Sequence, residues 1–154
     1  AMPVLVGWAA VTGTLDPQVF LLFAIVFYWT PPHFWALAIM VNKDYAAVNV
    51  PMMPVARGER VTRLQILFYS IQLVIITLVP GLMLLLPDAP IMLEGVYLVS
   101  AALLVLIWLS VKLIKVADKP MARIVYKYSS SYLALLFMAM ILDRFVMAFV
   151  RTLA

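Results

Sequence analysis

The chain contains a single histidine, which stands in the string Tyr28-Trp29-Thr30-Pro31-Pro32-His33-Phe34-Trp35 inside an otherwise apolar run. An ionisable group in such a run points by default toward protein or a polar cavity. Two adjacent prolines remove two backbone donors and collide with earlier carbonyls, so an interrupted helix is expected here, its freed carbonyls turned toward neighbours or water. His33 then has three open uses: capping those carbonyls, moving a proton, or ligating a metal. A second histidine to complete a metal pair is absent. The aromatics around it suit either the headgroup level of a bilayer or the wall of a cavity.

Chemistry is concentrated a second time at 42–60, where Asp44 stands among Asn42, Asn49, Tyr45, Lys43, Arg57 and Arg60. That mixture fits a diphosphate. Mg²⁺ bridges phosphate oxygens through one or two carboxylates plus water, while Arg and Lys bind the remaining anionic oxygens. Asp44 and Asn49 fall short of a complete divalent site, and Glu59 adds little, so the chain reads as half of one. The plainer alternative is a topology signal, basic residues held on the cytoplasmic side of a membrane. Asp143 and Arg144 read as a helix-end or interhelical polar contact, and the ten methionines as adaptable packing.

The elements that position these residues follow from composition. Hydrophobic residues make up 67% of the 154 and charged residues 12%, too little polar cover for a soluble domain, whereas lipid demands none. Crossing a hydrocarbon core takes about 20 apolar residues as helix. Four stretches qualify, at about 19–41, 64–86, 91–111 and 128–150, joined by cytoplasmic loops at 42–63 and 112–127 and by a short acidic hairpin at 87–90. The expected fold is an all-α polytopic membrane protein, because open strands leave backbone groups unpaired in lipid.

Orientation has its own signal. Nine of the eleven Lys and Arg, namely Lys43, Arg57, Arg60, Arg63, Lys112, Lys115, Lys119, Arg123 and Lys127, fall on one side of this scheme, leaving Arg144 and Arg151 on the other. The loop at 42–63 is therefore predicted to be cytoplasmic. The net charge of +4 has a membrane explanation and implies no nucleic acid, since the basic residues straddle apolar segments. Cysteine is absent, which excludes disulfides and thiolate metal sites. The first fifteen residues lack a secretory signal, and Ala1 to Val11 reads as chain already inside a membrane domain, which suggests an upstream part.

WTPPHFWALAI followed by KDYAAVNVPMMPVARGE, with GWAAVTG ahead and ARIVYKYSSSYLALLFMAMILDR behind, closely resembles the protohaem IX farnesyltransferase (haem O synthase) family of UbiA-type intramembrane prenyltransferases. The resemblance covers nearly the whole chain. It implies two pseudo-repeated four-helix bundles around a lipid-open cavity, of which this chain matches the second, so a missing N-terminal bundle is expected as a partner. Of the family's two acidic motifs, the first has no match here. The second maps onto Asp44, Tyr45 and Asn49, with Asn49 where other branches of the superfamily place an aspartate.

The implied reaction transfers a farnesyl group from farnesyl diphosphate to the vinyl group of haem b, giving haem O and diphosphate, with haem b as substrate and Mg²⁺ as the expected cofactor. The resemblance implies catalytic roles for Asp44, His33 and Tyr45, with Asp44 bound through Mg²⁺. Lys43, Asn49, Arg57 and Arg60 are expected to hold the diphosphate, and Tyr28, Trp29, Phe34 and Trp35 to line the cavity and shield the cation. It further implies the bacterial inner membrane in preference to the mitochondrial one, possible partners in haem A synthase or oxidase assembly, and a chain inactive by itself. The competing readings are a prenyltransferase for an aromatic quinone precursor and a non-enzymatic transport or assembly subunit that uses the proline break as a hinge.

Overall fold

A computed structural model of the chain describes residues 1–83 and 94–153, and every regular element among them is an α-helix. Helix α1 (Met2–Thr12) stops at Gly13, whose φ of 71° is the left-handed cap that glycine adopts without strain. The turn that follows is tied by Asp16. Its carboxylate accepts from the Trp8 indole at 3.3 Å and from the Thr14 hydroxyl at 3.2 Å. Helix α2 (Pro17–Met40) opens on proline, whose missing N–H costs nothing in a first turn.

Two short helices, α3 (Asn42–Ala47) and α4 (Met53–Arg57), separate α2 from α5 (Glu59–Met83). Asn49 takes a left-handed φ of 54° between them, and Gly58 at φ 82° makes the turn into α5. Helices α6 (Glu94–Val116) and α7 (Lys119–Leu153) complete the chain. Among the described residues α2 and α6 each pack against both α5 and α7, which makes a four-membered ring of helices. The ring closes on Ile25, Ile39, Ile66, Leu73, Leu106, Leu113, Val125 and Leu136, all buried. Small hydroxyl residues allow close approach between helices. Ser70 of α5 and Ser110 of α6 are fully buried, with their oxygens 3.2 Å apart, and each also donates to the carbonyl four residues back.

Three differences from the sequence reading appear among the described residues. Helix α2 runs unbroken through Pro31 and Pro32, because a helix loses only two of its many backbone bonds there and the packed neighbours hold the rest. The expected loop at 112–127 is helical except at Ala117 and Asp118, since Lys and Arg are good helix formers whatever side of a membrane they mark. The expected loop at 42–63 contains α3, α4 and the first turn of α5, which begins at Glu59 rather than 64. Of the four expected spans, Val19–Met40 is the helix among the described residues that is long and apolar enough to cross a bilayer. The hairpin at 87–90, and parts of the second and third expected spans, lie outside the described residues.

Candidate active site

The helical repeat sorts the aromatic string of α2 onto different faces. Trp29 and His33, four residues apart, share the face that meets α7. Tyr28 and Trp35, seven apart, turn to α5, where both rings lie against Tyr69 with centroids at 6.0 and 5.3 Å. Phe34 is half exposed and touches the edge of His33 at 5.7 Å. Three of the four expected cavity residues are thus divided between two seams of the bundle, and Phe34 lies at its surface beside His33.

His33 is stacked on both faces, with the Trp29 centroid at 4.4 Å and the Tyr126 centroid at 4.5 Å. Its Nδ1 lies 2.9 Å from the Ser129 hydroxyl and 3.5 Å from that of Ser130. The Trp29 indole donates to the Ser129 carbonyl at 2.8 Å, so the same short stretch of α7 grips both aromatic residues. These bonds run between helices. The capping use open to His33 in the sequence has no counterpart among them.

The loop residues form a separate group. Glu59 accepts from the Asn42 amide at 3.0 Å and pairs with Arg63 at 3.1 Å, which joins the start of α3 to the start of α5. Lys43, Asp44, Asn49, Arg57 and Arg60 are exposed and Tyr45 is half-buried. α3 packs against α4, and α4 against α2 and α5, so Asp44 and Arg57 lie on neighbouring elements at the end of the bundle where α2 finishes. Among the described residues no three acidic or histidine side chains converge to hold a metal. Asp44 offers one carboxylate. That fits a Mg²⁺ bound largely through phosphate oxygens and water, and it does not by itself make a protein cage.

Ser129, Tyr126, Tyr69 and the bridging role of Glu59 were not legible as site residues. The run Ser129-Ser130-Ser131 in an apolar helix was a usable signal, since consecutive hydroxyls in such a setting seek partners on a neighbouring helix.

A ring of helices carrying a serine pair against a stacked histidine, with a basic loop at one end, defines an all-helical protein with an interhelical polar site. The model of the UbiA prenyltransferase family matches residues 1–147, and the chain belongs to that family. Its relatives include proteins named protoheme IX farnesyltransferase from Roseiflexus sp. (strain RS-1), 47% identical over 96% of this chain and 27% of the relative, and from Thermus thermophilus, 49% identical over 95% and 23%. A third, from Nitrosomonas eutropha, is 42% identical over 94% of this chain and 47% of the relative. The chain therefore spans between about a quarter and a half of the length of these relatives. No solved structure matches it.

Proposed function

We propose that this chain forms part of an enzyme that farnesylates haem b. The observation that carries the reading is similarity over nearly the whole chain to proteins named for that activity, with the His33 seam and the Asp44 loop both inside the matched stretch. In this reading the chain lies in a bacterial inner membrane with four spans, the loop at 42–63 faces the cytoplasm, and the remainder of the active site comes from a second helical bundle.

The reaction breaks the allylic carbon–oxygen bond of farnesyl diphosphate and joins the farnesyl carbon to the haem vinyl group. Water adds its hydroxyl to the neighbouring carbon and loses a proton, and diphosphate leaves. Charge separation is the physical obstacle, so the site must hold an anion at one place while shielding a cation from bulk water at another. Lys43, Arg57 and Arg60 supply charge for the anion, with Asn49 and Tyr45 as neutral donors beside them. Asp44 would hold part of a Mg²⁺ here, and that ion would supply positive charge to the leaving diphosphate. Of the aromatics expected to shield the cation, Trp29 and Phe34 stand beside His33 while Tyr28 and Trp35 lie on the α5 side, and an aromatic face brought against positive charge contributes roughly 0.5–2 kcal/mol.

Full-length protein in membranes, supplied with farnesyl diphosphate and haem b, is expected to yield haem O by mass spectrometry, and Asp44→Ala to abolish turnover. Persistence of turnover and Mg²⁺ dependence in that variant would remove Asp44 from the site. Prenylation of 4-hydroxybenzoate in place of haem b would replace the acceptor.

A further inference from the structure

The bonds around His33 admit one arrangement of protons. The Ser129 hydroxyl lies 2.8 Å from the Tyr126 carbonyl and 2.9 Å from His33 Nδ1. A carbonyl can only accept, so both contacts are hydrogen bonds only if Ser129 donates to Tyr126 and receives its own bond from Nδ1–H. Ser130 repeats the pattern, donating to the same carbonyl at 3.1 Å. The neutral ring then carries its proton on Nδ1, which leaves the Nε2 lone pair as its remaining polar function. Among the described residues no hydrogen bond is made to Nε2.

We propose that His33 Nε2 is an axial ligand to the iron of a porphyrin substrate, with Ser129 and Ser130 as positioning residues. This rests on the haem-farnesylating reading and names the contact by which the acceptor is held. Three features favour it. Histidine ligands characteristically donate their other ring N–H, which fixes tautomer and orientation. Stacking of Trp29 and Tyr126 holds the plane of the ring, and an iron approaches in that plane, along the Nε2 lone pair. A proton relay fits less well, because a path through Nδ1 and Ser129 ends at the Tyr126 carbonyl, which has no proton to pass on.

The test uses full-length protein in detergent with two probes, iron(III) protoporphyrin IX and metal-free protoporphyrin IX. The unaltered protein is expected to prefer the iron form and to show nitrogenous axial ligation by electron paramagnetic resonance. His33→Ala is expected to lose both the preference and the signature, and added imidazole to restore the signature, which also shows that the variant is folded. Ser129→Ala with Ser130→Ala is expected to weaken iron-porphyrin binding by roughly 10–100-fold while leaving metal-free binding in place. An unchanged iron preference and spectrum in His33→Ala would overturn the proposal, as would a His33→Ala protein that imidazole fails to rescue while the serine variant binds both probes normally. Haem O formation, measured in parallel, separates the two readings: farnesylation with unchanged spectra removes the ligand alone, and His33-dependent ligation without farnesylation removes the reaction alone.

Discussion

Glu59 shows how one side chain frames the basic loop without facing it. Its two oxygens are divided between the Asn42 amide and the Arg63 guanidinium, so the ends of the segment that carries Asp44 are joined across seventeen positions of sequence. Glu59→Ala removes a partly buried hydrogen bond and an i,i+4 ion pair, and is expected to cost about 1–2 kcal/mol. Thermal unfolding in detergent measures it, and Glu59→Gln, which keeps an acceptor for Asn42, is expected to lose less. Equal losses in the two variants would assign the effect to the ion pair instead. At this scale the sequence was partly legible. His33 announced itself as a lone ionisable group in an apolar run, whereas Ser129 and Tyr126 lie about a hundred residues away, and only packing of α7 on α2 tells which residues of α7 meet it.

At the scale of elements, Pro31 and Pro32 were the strongest apparent breakers in the chain, yet α2 passes through them as one helix. Local propensity is a weak prior beside tertiary packing, and here Pro32 is buried while α5 and α7 flank the helix on two sides. The missing N–H groups release the carbonyls of Phe27 and Tyr28, four residues earlier. Pro31 is only partly buried, so Pro31→Ala restores a backbone donor with little loss of packing. The intrinsic gain is at most about 3 kcal/mol, reduced by about 0.4–1 kcal/mol for the freer unfolded chain. The variant is therefore expected to melt at the same temperature as the parent or higher. A clearly lower melting temperature would mean that the proline ring itself fills space against a neighbour. Helix boundaries are harder to read than helix existence for a related reason: the charged residues at 112–127 limit burial in lipid but do not unwind a helix.

For the whole molecule, the ring of helices brings distant stretches of sequence to one end. The finish of α2, the short helices α3 and α4, the start of α5, the finish of α6 and the start of α7 all meet there if consecutive helices run antiparallel, as the short Ala117–Asp118 turn requires of α6 and α7. Arg57, Arg60, Lys115, Lys119 and Arg123 are exposed on those segments. Helix α7, with 35 residues, is roughly 50 Å long at the usual rise, well beyond a hydrocarbon core of about 30 Å, so its lysine-bearing first turns can stand clear of lipid. The absence of cysteine makes the arrangement directly measurable by single-cysteine labelling. With a membrane-impermeant thiol reagent, cysteines at Arg57 and at Asp118 are expected to react from the same face, the cytoplasmic one, and a cysteine at Thr14, beyond the opposite end of α2, from the other. Reaction of positions 57 and 118 from opposite faces would break the common end, and with it any single anion site drawing on both loops. Joint reaction from the exterior would keep the common end but reverse the orientation, placing the proposed diphosphate site on the wrong side of the membrane for a cytoplasmic substrate.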